Sequence, residues 1–131
     1  MNPSNKKLGN LFEKEFCEIL GQHGFWVHNL TQNASGQPAD VIAVRNGLAY
    51  LIDCKVCTND KFALSRIEEN QCFAMSLWED CGNPACLFAF KTSEGIYIMN
   101  TYGIKLVKQR RQYARLVDIK TYGETLEEWL S

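Results

Sequence analysis

The chain has 131 residues, 46% hydrophobic and 22% charged, with a net charge of −1. That length suits one domain able to bury about two-thirds of its unfolded surface, and the near-neutral charge excludes a protein whose whole surface attracts nucleic acid. No apolar run approaches membrane-spanning length and no charged-then-apolar leader opens the chain, so a soluble, intracellular protein is expected.

A polar, flexible tail over residues 1–8 is followed by an expected helix from Asn10 to Gly21, with Leu11, Phe12, Phe16, Ile19 and Leu20 at helical spacing. Phe25 to Leu30 reads as a strand and "TQNASGQP" as a polar loop. A hairpin turning at Asn46-Gly47 comes next, then a second loop, "CTNDKF". Ser65 and Glu68 form a capping-box pattern that opens a helix running to Asp80. Strands are expected over Ala85–Phe90 and Gly95–Met99, then a basic connection, a short strand over Arg115–Ile119 and a terminal helix over Thr125–Leu130. Nothing divides residues 1–131, so the order predicts one α/β domain, a mixed β-sheet flanked by helices.

Most of the six cysteines (Cys17, Cys54, Cys57, Cys72, Cys81 and Cys86) fall among apolar neighbours and read as reduced core residues. Cys54 and Cys57 would point to opposite faces of a strand, a spacing unsuited to zinc.

The hairpin carries the chemistry. Asn-Gly suits a type I′ turn, which lets the register be counted: Val44 faces Ala49, Ile42 faces Leu51, Val41 faces Ile52, and Asp40 falls opposite Asp53. Opposed residues have Cβ atoms roughly 4.5–5.5 Å apart, where like charges are destabilising. Along "YLIDCKV", Asp53 and Lys55 share one face and Ile52, Cys54 and Val56 the other. A divalent cation held by hard oxygen ligands accounts for the two aspartates, with Lys55 beside a metal-bound water. The plainer reading is a surface ion pair of little energetic consequence.

Gln71 lies on the apolar stripe of the second helix, either as a core amide or as part of the same site. Glu13 sits on the shoulder of the first helix's buried stripe, placed to look inward, whereas Glu15 shares a ridge with Glu18 and is solvated. The basic segment Lys105, Lys108, Arg110, Arg111 and Arg115 could bind phosphates despite the overall charge. Lys61, Arg66, Lys108, Arg110 and Arg111 are the candidate DNA contacts.

"G-x-x-F-E" at Gly9–Glu13, "P-A-D" at Pro38–Asp40, "D-C-K" at Asp53–Lys55 and Gln71 on the next helix resemble the PD-(D/E)xK nuclease superfamily. Within it, "DKFALSRIEENQ" makes the chain most similar to the RecU-type Holliday junction resolvases. The resemblance implies a restriction-endonuclease-like core and a homodimeric, Mg²⁺-dependent endonuclease cutting four-way DNA junctions, with Mn²⁺ able to substitute. It also implies a setting in the cytoplasm of a bacterial or phage-infected cell. Carried over, Asp40, Asp53 and the Cys54 backbone carbonyl become metal ligands, and Glu13 lies near the metal directly or through water. Lys55 orients or activates the attacking water and stabilises charge on the phosphate, and Gln71 holds Lys55 or the water in place.

One departure is the long stalk of RecU-type enzymes, which shrinks here to "TQNASGQP". A nuclease of the same fold acting on duplex, nicked or flapped DNA is therefore a second reading, and a non-catalytic DNA-binding module a third.

Overall fold

A computed structural model describes residues 5–30 and 39–131. The loop "TQNASGQP", and Pro38 with it, lies outside the described residues. Among the described residues the strands are β1 (Trp26–Asn29), β2 (Val41–Arg45), β3 (Leu48–Val56), β4 (Lys61–Ala63), β5 (Leu87–Thr92), β6 (Gly95–Asn100), β7 (Tyr113–Arg115) and β8 (Glu124–Thr125). The α-helices that accompany them there are α1 (Asn5–Gln22), α2 (Glu69–Asp80), α3 (Thr101–Lys108), α4 (Leu116–Tyr122) and α5 (Leu126–Leu130). One sheet has the order β1-β2-β3-β5-β6-β8, antiparallel except for the β3–β5 pair; β4 and β7 form a separate two-stranded ribbon.

The mixed α/β sandwich is as the element order predicts. Asn46 and Gly47 both have positive φ, 54° and 78°, so the turn twists with its strands and the counted register holds from Arg45–Leu48 to Val41–Ile52. α1 drives Phe12, Phe16 and Leu20 against Val41, Ala43, Ile52 and Ala89 on one face of the sheet. On the other face Leu51, Phe88 and Phe90 meet Phe62, Met75, Ile104 and Ile119.

Several boundaries differ for physical reasons. α1 begins at Asn5, five residues before Asn10, so residues 5–8 of the expected tail are helical. Lysine and leucine are good helix formers there, and one glycine costs only about 1 kcal/mol. Leu11, assigned to the buried stripe, is 56% exposed. α2 starts after a 3-10 turn over Leu64–Arg66, with Glu68 at its N-cap and no side-chain capping bond, so the Ser65–Glu68 capping box does not form.

The loop "CTNDKF" contains the start of β4, and the basic connection is largely helix α3. Of the strand expected over Arg115–Ile119 only Arg115 is extended, as the end of β7; Leu116–Ile119 open α4, where the Asp118 carboxylate accepts the Arg115 N–H at 3.0 Å. The terminal helix forms as read, with Thr125 and Glu128 in a reciprocal capping box. All six cysteines are free, but Cys72 and Cys81 are exposed rather than core residues. Among the described residues no helix is long and apolar enough to cross a membrane.

Arg45 ties the segment after α1 and the end of α5 to the hairpin. Its guanidinium donates to the carbonyls of His23 (3.1 Å) and Leu130 (2.9 Å) and lies 4.3 Å from the Phe25 ring centroid. Hydrogen bonds from charged donors contribute about 1.5–3 kcal/mol, so Arg45→Ala is expected to destabilise the fold by about 2 kcal/mol in urea unfolding. A loss under about 0.5 kcal/mol, the range of neutral surface changes, would contradict this role.

Candidate active site

β3 outruns its neighbour. It pairs with β2 only from Leu48 to Ile52, while Asp53 to Val56 continue beside β5. The overhang leaves a notch beside β3, and Asp40 stands at its corner, immediately before β2. The Asp40 N–H donates to the Ile52 carbonyl at 3.1 Å, although Ile52 already faces Val41. Two residues thus meet one, as at a β-bulge, and the ladder stops short of the expected Asp40–Asp53 pair. The Asp40 carboxylate crosses to β3 instead, where Oδ2 accepts the Cys54 N–H at 2.8 Å. The C=O of a strand residue points the same way as its N–H, so the Cys54 carbonyl also faces the notch.

Glu13 reaches this place from α1 and is 7% exposed. A cleft of about 170 Å³ is bordered by Glu13, Asp40, Asp53 and Lys55, with Lys6 and Arg66 also on its lining. The Lys55 ammonium is 2.8 Å from Asp53 Oδ2, a close ion pair. It also lies 5.6 Å from the Phe62 ring centroid, so Lys55 is held between a carboxylate and an aromatic face.

Crowding sets the electrostatics. Burial, reinforced by the nearby Asp40 charge and opposed by Lys55, raises the carboxyl of Glu13 to about 7. Burial first and the Asp40 charge second also raise Asp53 to about 7, opposed by the charge and hydrogen bond of Lys55. Burial pushes the Cys17 thiol, also beside Glu13, to about 11, so it stays protonated at neutral pH.

The donor set is oxygen: carboxylates of Asp40, Asp53 and Glu13, plus the Cys54 carbonyl. It suits a hard divalent ion, and the buried Asp53 Oδ2 is met by the Lys55 ammonium. Among the described residues no three His, Cys, Asp or Glu side chains are already closed into a metal-holding group. Mg²⁺ does not require one, because it keeps several waters and binds through one or two carboxylates.

The other expected site residues fall differently. Gln71 is 8% exposed in the first turn of α2, buried as its position on the stripe implied, and is not part of the cleft lining. Of the candidate DNA contacts only Arg66 borders the cleft. Lys61 begins β4, Lys108 ends α3, and Arg110 and Arg111 occupy the turn that follows. Arg111 is 3.6 Å from Asp118, so part of its charge is already engaged.

Asn5, Lys6, Gly9 and Asn10 line the cleft from the start of α1, and sequence reasoning gave none of them a place in the site, although Gly9 opens the G-x-x-F-E motif. They precede Glu13 by eight, seven, four and three residues, so they share its helical face. Extending the helix toward residue 5 would have exposed that signal.

The family model described as archaeal Holliday junction resolvase (Hjc) matches residues 4–130. A solved structure, Hjc of Archaeoglobus fulgidus, described as a Holliday junction resolvase from an archaeal hyperthermophile, aligns with a TM-score of 0.72 at 14% identity. The alignment covers 94% of this chain and 100% of that one. No curated protein sequence matches. The PD-(D/E)xK-like resolvase superfamily therefore stands, while the family matched is the archaeal one rather than the RecU type.

Proposed function

The chain belongs to the archaeal Holliday junction resolvase (Hjc) family and is a structure-selective endonuclease acting on Holliday junctions; from that premise we propose that the notch beside β3 is its catalytic centre. The observation carrying this reading is the convergence of Glu13, Asp40, Asp53 and Lys55 on one cleft from three separate segments of the chain.

Asp40 and Asp53, with the Cys54 carbonyl, would hold Mg²⁺, and Glu13 would act on it directly or through water. The ion, when bound, supplies Lewis acidity and a water of lowered pKa. Lys55 orients that water and places positive charge beside the phosphate as negative charge grows in the transition state. Gln71, buried near the start of α2, would hold Lys55 or the water in place. Mn²⁺ should replace Mg²⁺, since both accept oxygen ligands in octahedral geometry.

The likeness to RecU-type enzymes is a relationship within the superfamily, resting on motif order and the segment after Lys55. The short interval between Leu30 and Ala39 means that junction selection here works without a long stalk. Symmetric cutting of a four-way junction calls for two active sites, so we read the protein as a homodimer working in the cytoplasm. Phe73 (68% exposed) and Leu77 (65% exposed), one turn apart on α2, support an apolar contact between copies.

The test is cleavage of a labelled four-way junction and its component duplexes, with Mg²⁺ and with chelator. Paired, magnesium-dependent incisions confined to the junction are expected. Equal cutting of linear duplex would move the protein to a duplex or flap substrate, and salt-sensitive binding without products would make it a binding module.

A further inference from the structure

The β4–β7 ribbon joins two stretches of chain about fifty residues apart, and its two faces differ sharply. Phe62 and Ala114 point inward, 1% and 0% exposed. Lys61, Arg115 and Tyr113 point outward and are exposed. Lys61 stands directly opposite Arg115, a like-charge cross-strand pair that disfavours the ribbon. Among the described residues neither side chain is ion-paired with a carboxylate. Lys61 instead leans diagonally, its ammonium 5.0 Å from the Tyr113 ring centroid.

The neighbouring acids are committed elsewhere. Asp60 accepts from Ser93 N–H (2.8 Å) and Oγ–H (2.5 Å), and Asp118 takes the Arg115 N–H and faces Arg111.

The ribbon is also continuous with the cleft. Thr58 and Arg66, on either side of β4, both border it, and the Arg66 guanidinium lies 5.0 Å from the Phe62 ring centroid on the ribbon's inner side. Positive charge thus stands both at the cleft wall, on Arg66, and on the ribbon's outer face, on Lys61 and Arg115, where an aromatic ring lies beside it. An anionic polymer leaving the cleft would meet this face next, and it would relieve the Lys61–Arg115 repulsion.

We propose that the outer face of the β4–β7 ribbon is a second DNA contact, receiving the phosphate backbone of a junction arm as that arm leaves the cleft. Lys61 and Arg115 each face a phosphate, and the Tyr113 ring packs on the intervening sugar. The inference rests on the reading of the cleft as the catalytic centre of a junction nuclease.

The test measures anisotropy of a fluorescein-labelled four-way junction, in chelator, across about 50–200 mM salt, where phosphate contacts dominate the dependence. The Lys61→Gln/Arg115→Gln double variant is expected to show a log–log salt slope shallower by about 1.8, at about 0.9 per lost phosphate contact. Its affinity should be weaker by at least tenfold at the lower salt, and Lys61→Arg should keep the wild-type slope. Lys61→Glu, which sets opposite charges face to face, should melt no lower than the wild type while binding more weakly.

Junctions whose arms are cut back to a few base pairs should erase the difference between the double variant and the wild type. An unchanged slope and affinity in both the double variant and Lys61→Glu would overturn the ribbon contact. Wild-type protein that binds junctions but produces no magnesium-dependent cuts would instead overturn the catalytic reading, and with it the premise of this inference.

Discussion

Alanine at Lys55 is expected to lower single-turnover junction cleavage by roughly 10²–10⁴-fold while leaving junction affinity within a few fold. Losses of that size follow removal of a positioned proton-transfer group or of a charge aimed at the transition state. Lys55 is well placed for either role. Its ammonium is 2.8 Å from Asp53 Oδ2, and its side chain is only 17% exposed, so solvent does little to screen it. One cation among the Lys6, Lys55 and Arg66 lining contributes little to gripping a long polyanion. The effect should therefore fall on the rate constant, read at saturating enzyme, and much less on binding. Arginine should restore only part of the rate, because a planar guanidinium is not a compact ammonium. A fully active Lys55→Ala protein would remove the notch from consideration as the catalytic centre.

The second expectation is a coupling between pH, metal and stability. Glu13 and Asp53 carry pKa values of about 7 in the folded chain, against ordinary values of 4.5 and 3.8. Between those limits the folded state holds more protons than the unfolded state, so stability falls as pH rises. The contribution is fully present below the ordinary carboxylate range and is lost as pH climbs through about 7. In chelator, the melting temperature is expected to drop over this window.

Mg²⁺ takes the place of those protons, so its stabilisation should grow with pH. At about one hundred times its dissociation constant it stabilises by about 2.7 kcal/mol, a shift on the order of 10 °C for a chain of this size. Asp53→Asn removes the buried charge. That variant should melt higher than the wild type in chelator at pH 8, lose most of the magnesium shift, and cut no DNA. A magnesium shift that survives Asp53→Asn would place the ion elsewhere, and a pH-independent difference between the two proteins would refute the raised carboxyl.

Much of the site could be read from local pattern because its determinants are local. The Asn46-Gly47 turn demands positive φ at both positions, which sets the hairpin register and puts Asp40 and Asp53 at the same end of it. Strand alternation puts Asp53 and Lys55 on one face, and helical periodicity turns Glu13 toward the sheet beside Phe12 and Phe16. What failed locally also has a cause. Residues 115–119 include the β-branched Val117 and Ile119, which suit a strand, but a capping carboxylate three residues after Arg115 starts a helix. Thr101–Lys108 reads as a charged connection, yet the Asn100 side chain caps Gly103 N–H and Ile104 and Val107 bury in the core.

By itself the sequence determined the α/β class, the hairpin and its register, and which carboxylates and lysine meet at one cleft, because each follows from dihedral preferences and side-chain periodicity within a few residues. Tertiary structure alone decided that β3 outruns β2 to open the notch, that Asp40 bends across it to Cys54, and that burial beside a second carboxylate raises Glu13 and Asp53. It also decided that Lys61 meets Arg115. Three-residue strands carry too little local preference to announce themselves. Their pairing energy comes from a partner about fifty residues away, and no window along the chain contains both.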